Sequence, residues 1–188
     1  KSIHMESFET SIADKIHLTK DVISLSFKKP YGFTHEAGQF IQLYIPQEGQ
    51  QIPRSYSITT LPEEETIGLC VKILPDGLGS QFLHRAIPGD HVRISPARGR
   101  FTLKKDSKAV VCIGTGVGAA PLLPILREAK KQGKKTTMLF GLRHETDIFW
   151  EKELSHHADS ITITLSQPPA NWQGATGRVT DHIDRFIS

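Results

Sequence analysis

Ala109-Val110-Val111-Cys112-Ile113-Gly114-Thr115-Gly116-Val117-Gly118-Ala119-Ala120-Pro121 is the stretch whose reading decides the fold. A continuous apolar run meets a glycine-rich turn, and from Leu122 to Gln132 apolar residues return at helical spacing. Thr136-Thr137-Met138-Leu139-Phe140 then supplies a second short strand, so strand, turn, helix and strand make a βαβ unit. Strands apolar on both faces suit a parallel sheet covered on both sides. A second round follows, with a helix near Asp147 to His156 and a strand over Ser160 to Leu165.

Upstream, from Phe8 to about Leu103, the pattern is different. Short runs alternate apolar and polar residues: Val22 to Phe27, Phe40 to Ile45, Ser55 to Ile58, Ile67 to Ile73 and Val92 to Ile94. Period-two alternation broken by turns such as Lys29-Pro30-Tyr31-Gly32 predicts an antiparallel barrel or sandwich. Ser80 to Ala86 is the exception and predicts a short helix, stopped by Pro88-Gly89. The polar stretch from Lys104 to Ser107 separates the two periodicities, giving units over 5–104 and 108–188. Lys1 to His4 read as residues left by a cloning junction ahead of a natural start at Met5.

Composition narrows the class. With 188 residues, 38% hydrophobic, and a net charge of +3, the chain has neither the polarity nor the charge of a disordered protein. No run approaches the roughly 18 apolar residues of a membrane span and no signal peptide opens the sequence, which points to a cytoplasmic protein. The mild basic balance has no aromatic-interleaved Lys/Arg stripe and so does not point to nucleic acid. Cys70 and Cys112 each sit in an apolar run and read as buried small hydrophobes; two thiols are too few for an iron–sulfur cluster, which takes about four. The nine histidines, the pair His156-His157 included, show no metal-ligand spacing and read as solvated.

Two segments carry chemistry. Gly114 to Pro121 lies between strand and helix, where glycines let backbone approach a pyrophosphate and the helix offers unpaired N–H groups. The alternative is a tight turn needing positive φ. Pro121 and the missing acidic residue after Phe140-Gly141-Leu142-Arg143 set it apart from the usual dinucleotide fingerprint. Arg54-Ser55-Tyr56-Ser57-Ile58 places Arg54, Tyr56 and Ile58 on one face of a strand and Ser55 and Ser57 on the other. Arginine suits a phosphate and an aromatic face suits a planar ring, although the composition is also common in ordinary strands.

In this order the motifs resemble the ferredoxin–NADP reductase family of flavoproteins over nearly the whole chain, from Ser7 to Ile187. The resemblance implies an antiparallel flavin-binding β-barrel followed by a parallel α/β nucleotide-binding domain, and an enzyme that uses FAD with NADH or NADPH. Arg54-x-Tyr56-Ser57 looks like the family's flavin signature. It implies Arg54 on the flavin phosphate, Tyr56 stacked on the ring and Ser57 near its reactive edge, with Tyr56 and Ser57 at the site of chemistry. Val71-Lys72-Ile73 matches the strand whose backbone lines the flavin, and Gly79 and Ser80 fall in a segment similar to the one that caps its pyrophosphate. A serine opening a short helix would do so by the logic of anion binding at helix N-termini.

Gly114-Thr115-Gly116-x-Gly118, with Ala120-Pro121, matches the family's nucleotide loop, and Arg143, Ser166 and Gln167 fall in segments similar to its adenosine side. Many NADP-preferring members carry arginine after that serine; neutral Gln167 leans the reading toward NADH, with Arg143 able to compensate. The resemblance also implies a further strand with a Cys-Gly-x-Pro motif, whereas the sequence stops at Ser188, so a chain cut short is expected and the Val110 strand is expected to have an open edge. Hydride would pass from the nicotinamide to the flavin, and electrons on to a protein or a haem or other metal-centre acceptor. The alternatives are a reductase module of an oxygenase or haem protein, and a flavin-binding electron-transfer subunit without nicotinamide turnover of its own. Lysine pairs such as Lys28-Lys29 and Lys134-Lys135 would suit an acidic partner, or a merely solvated surface.

Overall fold

The computed structural model describes residues 7–186, so the readings of Lys1 to His4 and of Met5 lie outside the described residues. The chain divides into two compact units between Thr102 and Leu103.

The first unit is all antiparallel. Its strands are β1 (Phe8–His17), β2 (Val22–Lys28), β3 (Phe40–Gln47), β4 (Gln50–Ser57), β5 (Thr66–Lys72) and β6 (His91–Ile94), in the sheet order β4-β3-β6-β1-β2-β5. The end strands meet through an Ile58↔Leu69 bridge and a Thr59 N–H to Gly68 carbonyl bond of 2.9 Å, so of barrel and sandwich the barrel is what forms. Alternation sends Ile23, Leu25 and Phe27 of β2 and Val92 and Ile94 of β6 into one core, while His91 and Arg93 face out. β3 and β4 join through Glu48 and Gly49, both at positive φ (49° and 77°), the mirror-image turn that matches strand twist.

Two prolines shape this sheet. Pro53 of β4 faces Tyr44 of β3 in a non-hydrogen-bonded pair, so its missing N–H costs the ladder nothing. Pro46 does cost the ladder something. β3 pairs with β6 only at Leu43↔Ile94 and Tyr44↔Arg93; the next bonded pair would need a Pro46 N–H, and the pairing stops there.

Helix α1 spans Leu78–Arg85 and so begins two residues earlier than Ser80 and ends one before Ala86. Lys15 Nζ donates to the His84 carbonyl at 2.9 Å and also to the Ala86 carbonyl, closing the C-terminal end of α1 with a cation.

The second unit has β7 (Ala109–Thr115), α2 (Leu122–Lys131), β8 (Lys135–Leu142), α3 (Glu151–His157), β9 (Ser160–Leu165) and a two-residue β10 (Ala175–Thr176). All pairings are parallel, in the order β10-β9-β8-β7. β8 is central and its Met138, Leu139 and Phe140 are fully buried. β7 differs from the doubly covered strand its apolar run predicts: it is the sheet edge among the described residues, with Cys112 buried and Val111 41% exposed. The helix predicted near Asp147 to His156 also resolves into two pieces. Asp147 Oδ2 accepts the His144 N–H at 2.9 Å to close a 3-10 turn, and Trp150 at φ 58° restarts the chain as α3. Among the described residues no helix is long and apolar enough to cross a membrane.

Candidate functional site

In the barrel unit, Arg54, Tyr56 and Gly79 come together. β4 carries Arg54 and Tyr56 on one face, and the first turn of α1 lies flat against them. A Cβ at Gly79 would collide with the Tyr56 hydroxyl and stand 3.0 Å from Arg54 Cγ, so only glycine allows this approach. Arg54 is exposed and its Nη1 donates to the Pro53 carbonyl at 2.9 Å. Tyr56 is half-buried against the barrel core; burial pushes its phenol above its ordinary range and the Arg54 guanidinium pulls it partly back.

Ser80 does not open the helix. It sits in the first turn, buried, and its hydroxyl accepts the Leu74 N–H at 3.0 Å and lies 3.1 Å from the Gly77 carbonyl, so its role is to pin the preceding loop. The residue ahead of the helix is Gly77, and the first intrahelical bond runs from Gln81 N–H to its carbonyl at 2.8 Å. The amides of Leu78, Gly79 and Ser80 have no partner within the helix, which leaves an anion-binding end without a serine cap.

The strand ladder decides which backbone faces this place. Ile73 N–H donates to the Asp21 carbonyl at 2.7 Å, so Val71 and Ile73 spend their backbone groups on β2. Of Val71, Lys72 and Ile73, Lys72 alone turns backbone groups to the open side of β5, joined by Cys70, which the sequence reading used only as a hydrophobe. On β4 the same parity turns the backbone of Ser55 and Ser57 to its open side, since Ile58 N–H donates to Gln39. The Lys72 ammonium pairs with Asp21 at 3.2 Å, both side chains well exposed.

In the second unit the predicted residues gather at the carboxyl ends of the parallel strands, where open α/β sheets bind ligands. Thr115, Gly141 and Thr164 stand side by side in register. Gly116 to Ala119 form a 3-10 turn, with Gly116 at φ 49°, and Pro121 precedes α2. Gly114 is packed tightly, a Cβ there meeting Leu122 Cδ1 at 2.7 Å, whereas beside Gly118 there is open space. Past the strand ends, Ser166 N–H donates to Leu142 at 3.0 Å and Gln167 N–H to Arg143 at 2.8 Å, which sets Arg143, Ser166 and Gln167 together.

Three residues here, His144, Thr164 and His182, were not singled out by sequence reasoning. His144 Nδ1 lies 3.3 Å from the Gln167 carbonyl. Thr164 Oγ1 donates to the Gly177 carbonyl at 2.8 Å and sits 3.2 Å from His182 Nε2. Val179 packs over Gly141, so residues 177–182 fold back across the strand ends. No spacing marks these residues; only the return of the chain brings them there. Cys70 and Cys112 are buried, and burial pushes both thiols up to about 12. Among the described residues no group of three or more His, Cys, Asp or Glu is placed to hold a metal ion.

Comparison with known proteins matches the two units separately. Residues 9–103 fit the family described as "Oxidoreductase FAD-binding domain" and residues 112–188 fit "Oxidoreductase NAD-binding domain". A ferredoxin–NADP reductase B of Sorangium cellulosum is 35% identical over 96% of this chain and 79% of its own length. The reductase component of a propane 2-monooxygenase of Mycolicibacterium goodii is 34% identical over 72% of this chain, which spans only 40% of that relative. Among solved structures, a ferredoxin NADP+ reductase from Neisseria gonorrhoeae with bound FAD and NADP superposes with a TM-score of 0.85 at 22% identity, over 95% of this chain and 76% of that one. A flavin-binding barrel ahead of an NAD-binding α/β unit, with a relative this similar over 96% of this chain, makes the chain a member of the ferredoxin–NADP reductase family of oxidoreductases.

Proposed function

We propose that this chain is an FAD-dependent NAD(P)H oxidoreductase that passes electrons from a nicotinamide nucleotide to a separate protein or metal-centre acceptor. The observation that carries the reading is the Arg54, Tyr56 and Gly79 cluster beside unpaired helix amides: a cation, an aromatic face and an anion-binding backbone within one turn. These residues fit a flavin nucleotide. Arg54 would hold its phosphate, the amides of Gly79 and Ser80 would bind the pyrophosphate, Tyr56 would cover the ring, and Ser57 and Lys72 would offer hydrogen-bonding groups from the two strand edges. FAD, when bound, supplies the hydride and single-electron chemistry, and the protein supplies binding, orientation and electrostatics.

For the nicotinamide nucleotide, the space beside Gly118 and the ends of β7 and β8 would take the pyrophosphate, with Thr115, Gly116 and Pro121 shaping the turn. Arg143, Ser166 and Gln167 would meet the adenosine end. Neutral Gln167 favours NADH, and Arg143 beside it is the group that would accept a 2′-phosphate. A cytoplasmic setting is supported by two buried, unpaired thiols. A second reading is a flavin-binding electron-transfer subunit without nicotinamide turnover of its own, since Arg54, Tyr56 and Gly79 all lie within the barrel unit.

An absorption spectrum of FAD-loaded protein, followed anaerobically on adding NADH and then NADPH, tests the proposal. Visible flavin bands that bleach with either nucleotide support it and rank the two. Bands that stay oxidised select the binding-only reading, and a failure to retain FAD overturns both.

A further inference from the structure

The barrel wall has an opening that the flavin reading leaves unused. Beside Pro46, where the β3–β6 ladder ends, lies a cavity of about 290 Å³ whose walls include Tyr44, Pro46, Gln51, Phe82, His91 and Arg93. Arg54, Tyr56 and Gly79 are not among its lining residues.

Strand parity fixes what the cavity presents. Ser95 N–H donates to the Gln42 carbonyl at 2.9 Å, so 44–93 is a hydrogen-bonded pair and 46–91 would be the next. On the opposite side Ile12 N–H donates to Asp90 at 2.9 Å, which makes Ser11↔His91 a non-hydrogen-bonded pair. Both backbone groups of His91 therefore turn away from β1 and into the gap left by Pro46. A second, independent feature lies in the same wall. Tyr44 is 5% exposed and its hydroxyl is buried without a hydrogen-bond partner, a state that buried polar atoms rarely keep. Charge is balanced, because Arg93 Nη2 bonds Glu9 Oε1 at 3.0 Å.

We infer that this wedge binds a small neutral lactam heterocycle, the size of a pyrimidine or purine base. The N–H and C=O of one extended residue lie side by side and point the same way, and a cyclic cis-amide presents the complementary C=O and N–H on one edge. Phe82 and Pro46 supply apolar surface for a flat ring. The Tyr44 hydroxyl offers a third polar contact to a further ring carbonyl.

The test is a titration of the 15N-labelled 188-residue chain with uracil, followed through backbone amide resonances, with and without saturating FAD. Saturable shifts at Tyr44, Phe82, His91 and Arg93, with a dissociation constant of about 1 mM or tighter, support the site. 1,3-Dimethyluracil, whose amide hydrogens are blocked, should bind at least about tenfold more weakly. Tyr44→Phe should weaken uracil about fivefold, and Pro46→Val, which restores the missing donor and lets the ladder close, should abolish binding. No saturable shift, equal binding of the dimethyl compound, or shifts confined to other residues would overturn the inference. Should Pro46→Val not fold, Tyr44→Phe and the dimethyl comparison decide. The arm without FAD keeps this result separate from the fate of the flavin reading.

Discussion

In the proposed flavin site Arg54 would carry the largest share of phosphate binding, because a guanidinium facing a phosphate makes charge-assisted bonds that no neighbour on β4 can replace. Arg54→Ala is expected to weaken FAD by about 1.5–3 kcal/mol, roughly ten- to a hundredfold, in a flavin fluorescence titration. Unchanged affinity would remove the phosphate role. Gly79 tests the same cluster from the other side. Gly79→Ala drives a methyl into the Tyr56 hydroxyl, so FAD retention and melting temperature should both fall, and adding Tyr56→Phe should recover part of the loss by removing the oxygen that is struck. The motif around Arg54 was legible in the sequence because alternation alone puts Arg54 and Tyr56 on one face. Ser80 was not legible: whether a serine caps a helix or pins a loop depends on where the helix begins, and the Leu74 N–H that engages it lies six positions back in an irregular segment.

Among the elements, β9 matched its predicted span of Ser160 to Leu165, whereas β1 was not among the predicted runs and β4 begins at Gln50, ahead of the predicted Ser55. Helices deviated where local side-chain bonds compete with helical ones, as Asp147 does by holding His144 in a 3-10 turn. The apolar run of β7 announced a strand, but its place at the sheet edge was expected from the family resemblance alone, since burial on two faces and burial on one leave the same short pattern. A pH effect belongs to the junction of α3, β8 and β9. Asp159 Oδ2 accepts the Thr136 N–H at 2.8 Å, and that bond holds its carboxyl below the ordinary aspartate range. Because the folded-state value is depressed, the stabilisation is complete above the unfolded-state value and is lost as pH falls through the folded one. Acid unfolding of Asp159→Asn should therefore show a flatter dependence on pH below the ordinary aspartate range, while an unchanged slope would mean that the bond does not differ between states. At α1, Lys15→Met removes the cation closing the helix and should cost about 1 kcal/mol in denaturant unfolding.

For the whole molecule, the two thiols report on the two units separately, Cys70 from the barrel and Cys112 from the α/β sheet. With both pushed up to about 12, neither should react with a disulfide reagent at pH 8 in the folded protein, and both should react on unfolding. Two separate phases of thiol release in denaturant would show that the units unfold independently, and one shared phase that they do not. The change of period from two to helical spacing puts the boundary at Lys104 to Ser107 in the sequence, and the two compact units divide just ahead of it, between Thr102 and Leu103. The course of residues 177–182 over the ends of β7 and β8 was not visible in the sequence, because it depends on contacts between segments far apart in the chain.

The strand orders of the two sheets also dictate how each is assembled during synthesis. Among the described residues of the second sheet each strand lies next to its neighbour in sequence, so their pairing can advance as the chain leaves the ribosome. In the barrel, β1 is made first yet sits between β2 and β6, with Phe8 opposite Ile94. The first strand must wait, one edge bare, until nearly the entire barrel unit has been translated, and long-range closure of this kind is the slow step in folding. The nascent barrel therefore carries a bare strand edge through most of its own synthesis.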